Sequence, residues 1–372
     1  MALTAVGLRA AIRSKTIREY QLPLTKQSIP TPALVVDLSL MEANIARAAA
    51  DAAAAGKQLR PHMKAHKCLP LARRQIAAGA CGMCCATVPE AELLAKSGIA
   101  DLLLTSPLAD PRKMARAVAT GAMVVVDHVT QVQWYQQAAF DANRQVCVLV
   151  DLDIGDHRTG AATLEQALDI ALAVEKSSHL WLRGIQAYSV SGSHGANEAE
   201  RRRISSACFA HAVAVRDAFT AQGLHTDILS GGSTGTWTVD LTLPEVTELQ
   251  AGSYPLMDLA YRKIDAGFAN AMTVLATVIS ANHADFVTID AGFKAFSTDR
   301  PFGPEPVGLP GSAYRWGGDE FGYVDGTSLR VGDRVELLPP HCDPTANLYD
   351  RIYACRGNEV EEVWPVMERI QI

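Results

Sequence analysis

Nowhere in the 372 residues is there a stretch of about 18 uncharged apolar residues, so a membrane span is not expected. The chain also lacks a long block of lysine and arginine, and 34 basic against 40 acidic residues leave a formal net charge of −6. That balance disfavours nucleic acid or an anionic lipid surface as a partner. Eight cysteines, at positions 68, 81, 84, 85, 147, 208, 342 and 355, lack the regular spacing of a disulfide framework. Most sit in apolar runs, where reduced thiols behave as small hydrophobes. Cys81 and Cys84 form a C-x-x-C, but no second pair follows at ribbon spacing and the neighbours are small and apolar, which argues against a structural zinc. No internal repeat of solenoid type is present.

What remains is a chain 48% hydrophobic and 20% charged, suited to one large or two medium folded domains. Residues 1–30 read as a helical start and an extended piece. Arg9, Arg13, Lys15 and Arg18, with no acid before Glu19, have the pattern of a weak organelle-targeting helix, although the cytoplasm is the expected location. Brief apolar strands then alternate with Ala- and Leu-rich helices: 33–36, the Lys64 segment, 82–86, 101–104, 123–126, 146–152, 184–188, 227–230 and 248–251. The alternation predicts an α/β fold, a (β/α)8 TIM-type barrel over residues 31–270, with nine candidates for eight places; Ala33 to Val36 can belong outside the closed sheet. After Met272 the pattern turns to strands separated by Gly, Pro and Asp. A smaller β domain is expected from residues 1–30 plus 271–372, with an irregular Pro/Gly-rich loop over 301–318.

Residues 60–67, Arg-Pro-His-Met-Lys-Ala-His-Lys, crowd two histidines and two lysines into eight positions. As a short parallel strand they would turn His62, Lys64 and His66 to one face. Burying an ammonium without a partner costs roughly several kcal/mol and lowers its pKa, which a Schiff-base lysine exploits because the free amine is the nucleophile. A solvated strand end fits the position equally well. Further polar motifs fall at other strand ends, where barrels hold ligands: Asp151 to Gly160 with Arg158, Gln186-Ala-Tyr188 followed by His194, Ser230 to Thr236, and Glu248 to Tyr254. Glycines in the third let backbone N–H groups approach an anion. In the β domain, His341 and Asp343 would share one face of an extended backbone and could bind one divalent ion.

The 60–67 motif resembles the Arg-Pro-His-x-Lys-x-His-Lys signature of the D-threonine aldolase, D-serine dehydratase and 3-hydroxyaspartate aldolase group. These are metal-activated pyridoxal phosphate (PLP) enzymes of the alanine-racemase-like fold, PLP fold type III. The resemblance runs from about Thr31 to Pro365. It implies that Lys64 carries the cofactor, with His62 and His194 beside it as candidate catalytic residues. Arg158 would approach the phenolate oxygen and hold it ionised. Tyr188 would lie against the pyridine ring, and Gln250 near the pyridine nitrogen, where a neutral amide disfavours transamination. Ser233, Thr234, Gly235, Thr236, Gly252 and Ser253 fall to the phosphate. His341 and Asp343 fall to a metal beside the substrate's β-hydroxyl.

Within that group, His-x-Cys goes with zinc and dehydration, and His-x-Asp with a harder ion and aldol cleavage. His341-Cys342-Asp343 therefore implies Mg2+ or Mn2+ ahead of Zn2+, with Cys342 turned away by alternation. The stretch from His341 to Asn347, with Trp364-Pro365 after it, looks closest to 3-hydroxy-D-aspartate aldolases. Asp290 to Asp299 is a further shared segment. Phe321 departs from the pattern, standing where relatives carry a histidine. The expected activity is cleavage of a β-hydroxy-D-amino acid, of D-threonine or D-3-hydroxyaspartate type, to glycine and an aldehyde or oxo-acid. A PLP/metal-dependent D-serine or D-3-hydroxyaspartate dehydratase and a non-catalytic PLP-binding protein are the alternatives. A homodimer is expected.

Overall fold

The computed structural model describes residues 24–370, so the readings made of the first 20 residues lie outside the described part. Eight parallel strands form one sheet: β1 (Gln58–Leu59), β2 (Met83–Cys85), β3 (Leu102–Leu104), β4 (Met123–Val126), β5 (Val146–Leu152), β6 (Leu180–Ala187), β7 (Ile228–Gly231) and β8 (Glu248–Leu249). They pair in chain order, and β8 pairs with β1. A parallel bridge between His62 and Cys84 joins the first strand to the second and closes the barrel. Strands such as Met123–Val126 are buried throughout, as parallel strands covered on both faces must be. The helices between them carry side-chain caps: Thr87 accepts from the N–H of Glu90, Asp110 from Arg112 and Asn197 from Glu200.

The strand at Ala33–Asp37 lies outside the barrel, the place the surplus of candidates left open for it, between Met272–Ser280, antiparallel, and Arg351–Arg356, parallel. The Lys64 segment is not a strand. Pairing ends at His62, whose ring accepts the Lys64 N–H at 3.4 Å and caps a single 3-10 turn, Met63–Ala65. Strand alternation therefore does not govern residues 63–66. The second sheet has ten strands, from Leu24–Thr25 to Glu359–Pro365, and is built around Met272–Ser280. The 301–318 loop is more ordered than expected, since Glu305–Pro306 and Ala313–Trp316 both join that sheet. Among the described residues no helix is long and apolar enough to cross a membrane.

The barrel interior carries a continuous polar string. Arg60 pairs with Glu248 at 2.8 Å, and Glu248 accepts from Ser230 at 2.6 Å. Gln250 donates to Ser230 at 2.9 Å and to Gln186 at 3.2 Å, and Gln186 donates to Asp151 at 2.8 Å. All are buried. Removing one partner of such a pair leaves an uncompensated charge, so Arg60→Met should destabilise the fold by about 3–5 kcal/mol. Urea unfolding checks this. Pairing the change with Glu248→Leu should recover much of the loss, whereas a loss under about 1 kcal/mol would mean that the pair is screened like a surface one.

Candidate active site

Lys64 sits half-buried at the carboxyl end of the barrel, with Nζ 5.3 Å from the centroid of the Tyr188 ring and no ion pair among the described residues. Tyr188 follows directly on β6, and the exposed Arg158 lies 5.3 Å from the same ring. The structure thus brings Lys64, Tyr188 and Arg158 together. His62 is tied at both nitrogens: Nδ1 accepts from Lys64 N–H, so Nε2 carries the proton and donates to Thr105 Oγ1 at 3.0 Å. Thr105 in turn donates to the Cys85 carbonyl at 3.1 Å. Burial, with Lys64 next, holds the His62 imidazolium form well below the usual range. His66 is buried apart from this face. Its Nδ1 accepts from Cys68 N–H at 3.1 Å and its Nε2 donates to Gln75 at 3.2 Å, so it too is neutral.

The loop after β7 is buried, and its hydroxyls bond one another. Ser193 donates to Ser233 Oγ at 2.8 Å, and Ser233 Oγ lies 2.8 Å from Thr236 Oγ1. Thr236 donates to Asp240, which also takes the Ser233 N–H and the Ser205 hydroxyl. Thr234 Oγ1 is buried without a partner. At Gly235 a Cβ would fall 1.8 Å from the Ser193 carbonyl oxygen, an approach only glycine allows, and at Gly252 one would fall 3.0 Å from His62, a tight contact. A buried loop with an unmatched hydroxyl fits an anionic group such as the cofactor phosphate. Gln250, expected at the pyridine nitrogen, gives its amide N–H groups to Ser230 and Gln186. Ser253, expected at the phosphate, donates to Asp343 Oδ1 at 3.0 Å.

That contact joins the two domains. His341 is not on an extended strand with Asp343. It is the N-terminal cap of a short helix, Cys342–Leu348, and Asp343 lies in the first turn. The pair nonetheless faces the barrel: burial alone would raise the Asp343 carboxyl, but the charges of His341 and Lys64 and bonds from Cys342 and Ser253 hold it below the ordinary value. His341 Nδ1 donates to Asp299 at 2.7 Å, leaving Nε2 as its free donor atom, the arrangement typical of a metal-binding histidine. Cys342 is buried, its Sγ 3.1 Å from Asp343 Oδ1, and burial with the Asp343 and Asp258 charges pushes the thiol well up. One imidazole and one carboxylate therefore fit a hard divalent ion better than a thiolate set does. Among the described residues no group of three or more His, Cys, Asp or Glu side chains is arranged to hold a metal.

His194 is met by Arg300, whose Nη2 lies 3.0 Å from Nε2, and is stacked on Tyr261 at 5.1 Å. Guanidinium only donates, so Nε2 accepts and the ring is neutral; burial, then Arg300 and His341, lowers its pKa to about 4. Phe321 is exposed, 46% of its surface being open. Sequence reasoning missed Thr105, Asp258 and Arg300. Asp299 stood inside a quoted segment without a role, and only the fold could give it one.

Comparisons with known proteins bear on the family and the fold. Residues 36–258 match the alanine racemase N-terminal domain family, and residues 271–355 match a putative serine dehydratase domain. Fold and site define an alanine-racemase-type barrel with an appended sheet domain, a PLP-dependent class. The chain is 34% identical to a 3-hydroxy-D-aspartate aldolase of Paracoccus denitrificans (strain Pd 1222), covering 94% of this chain and 96% of that one. It is 35% identical to a D-threonine aldolase of an Arthrobacter species, covering 92% and 93%. A D-threo-3-hydroxyaspartate dehydratase of Delftia sp. (strain HT23) is 30% identical over 91% of this chain and 98% of its own. The crystal structure of D-threonine aldolase from Filomicrobium marinum superposes with a TM-score of 0.91 at 31% identity, covering 94% of this chain and 98% of that one. The chain belongs to the alanine-racemase-like family that contains these PLP-dependent aldolases, which are lyases.

Burial lowers the His66 pKa to about 4, against about 6.5 unfolded. A depressed folded value contributes stability above pH 6.5 that is lost as pH falls through 4. Asp151 and Asp240, pushed up to about 6 by burial, work in the opposite sense, so the test is a difference between proteins. The stability of wild type relative to His66→Gln should fall by about 3 kcal/mol between pH 7 and pH 4, as measured by urea unfolding. A difference that does not change with pH would refute the assignment.

Proposed function

We propose that this chain cleaves the Cα–Cβ bond of a β-hydroxy-D-amino acid to glycine and an aldehyde or oxo-acid. The observation that carries the proposal is the meeting, within one chain, of Lys64, half-buried and without an ion pair among the described residues, and the His341/Asp343 pair, whose helix packs against the Met63–Ala65 turn and whose Asp343 is held by Ser253 at the barrel end. Similarity to aldolases over more than nine-tenths of the chain supports it.

Lys64 would hold the cofactor, Tyr188 and Arg158 would orient its ring, and Thr234 with the backbone of Gly235 would take the phosphate. His341 Nε2 and Asp343 would hold Mg2+ or Mn2+. When bound, PLP supplies an electron sink for the pair left on Cα, and the cation supplies a Lewis acid for the β-oxygen. The chain's own residues do the rest. His62, neutral and bonded at both nitrogens, fixes the turn that presents Lys64, and so acts as a positioning residue. Ser253 and Cys342 hold the Asp343 carboxylate, and Asp299 holds His341. Lys64 Nζ would take up the proton that the β-hydroxyl gives up and deliver it to Cα, completing glycine.

The test is to incubate purified protein, with PLP and Mn2+ or Mg2+, separately with D-threonine, D-3-hydroxyaspartate and D-serine. Glycine and its carbonyl partner are measured against pyruvate, oxaloacetate and ammonia. Glycine should form, EDTA should stop it, and Lys64→Ala should bring it to background. Asp343→Asn and His341→Gln should weaken the response to added metal. Ammonia with a 2-oxo acid and no glycine would sink the aldolase reading in favour of dehydration.

A further inference from the structure

On the β-domain side of the site one cation is left only partly matched. Arg300 follows Asp299, and its side chain is 21% exposed. Nη2 reaches His194 Nε2 at 3.0 Å, and Nε stands 3.6 Å from Asp299 Oδ2, beyond hydrogen-bond distance. Nε is buried and has no hydrogen-bond partner. The same Asp299 oxygen accepts from His341 Nδ1 at 2.7 Å, so the guanidinium adjoins the proposed metal pair through a single carboxylate atom. His194 is itself confined by its stacking on Tyr261 at 5.1 Å. Nε is thus turned to Asp299 and closed to a ligand, while the partly exposed outer edge of the planar guanidinium, bonded only through Nη2, is suited to a second carboxylate.

We infer that Arg300 binds a carboxylate carried on the substrate's Cβ, making this site selective for a dicarboxylic β-hydroxy-D-amino acid over one ending in a methyl group. The inference rests on the proposed aldol cleavage. The β-hydroxyl and a β-carboxylate share one carbon, so an oxygen held at His341 and Asp343 brings the carboxylate to the groups that adjoin that pair. Lys64 and Arg158 lie by the Tyr188 ring, and Arg300 is the cation beside Asp299. With D-threonine the methyl group would leave the accessible edge of the guanidinium unmatched. A site that hydrogen bonds a polar group discriminates strongly against the analogue without it, because its own donors are then left without partners.

Steady-state kinetics of the PLP- and metal-loaded enzyme on D-3-hydroxyaspartate and D-threonine test this. Wild type should favour D-3-hydroxyaspartate in kcat/KM, and in Arg300→Met the ratio of the two kcat/KM values should fall by about 100-fold. Arg300→Lys, which keeps the charge but loses the fork, should fall between them. A second readout does not need turnover: succinate should raise the melting temperature of the holoenzyme more than butyrate does, and Arg300→Met should abolish that difference. Equal losses on both substrates, or no preference in wild type, would overturn the inference and leave Arg300 as a prop for Asp299 and His194. If no substrate gives glycine, the aldolase proposal fails and the succinate experiment decides alone. An Arg300-dependent succinate effect then supports a carboxylate site, and its absence refutes one.

Discussion

A barrel of eight parallel strands has to fill its own interior, and here part of the filling is charge. Arg60 and Glu248 can lie buried together only because each satisfies the other and Glu248 has a second donor in Ser230. From that pair the string runs through Ser230, Gln250 and Gln186 to Asp151, and Gln186 also donates to the Thr105 carbonyl at 2.9 Å. Its upper end is the floor of the site. Thr105 supports His62, and His62 caps the turn that lifts Lys64 out of the sheet. The lysine's position therefore depends on hydrogen bonds that begin at the bottom of the barrel, and each link restricts the next because a buried polar group left unpaired is costly.

The second domain is fastened to this floor by polar groups at the edge of the barrel. Asp258 accepts from Tyr261 N–H at 2.9 Å and from Cys342 N–H at 2.8 Å, so one carboxylate caps a barrel helix and the start of the Cys342–Leu348 helix together. The carbonyls of Pro339 and Pro340 receive the N–H groups of Leu259 and Ala260, and Ser297 donates to the His341 carbonyl at 3.3 Å. His341 and Asp343 are thus held from both domains.

Much of this was legible in the chain. The strand–helix alternation and the change of pattern after Met272 are period signals, and they carry the barrel and the sheet domain. The motif at 60–67 drew attention to Lys64, but its local shape was hidden: whether residues 63–65 extend or turn depends on His62 reaching a backbone N–H and on Thr105 arriving from 43 residues away. The same limit hid the roles of Ser253 and Gln250. Both types suit a cofactor contact, yet each meets a partner that only the folded barrel supplies, Asp343 for one and Ser230 with Gln186 for the other. Arg300 carried no signal at all, since a lone arginine in a Pro- and Gly-rich stretch reads as solvated surface.

Cys342 shows how the environment, rather than the spacing, sets the chemistry of the His-Cys-Asp stretch. The thiol is not turned harmlessly outward; it is buried between Asp343 and Asp258. A thiolate there would be a third negative charge in a space with little water, so the sulfur keeps its proton and donates to Asp343. The open donors are then one imidazole and one carboxylate, with no thiolate among them. A cation so held would keep more of its charge for a substrate oxygen than one bound by a thiolate as well, which suits ionising a β-hydroxyl. Arg300 extends that logic one residue outward: its guanidinium shares Asp299 with His341 and donates to His194, and its remaining edge is the part left for an acidic substrate.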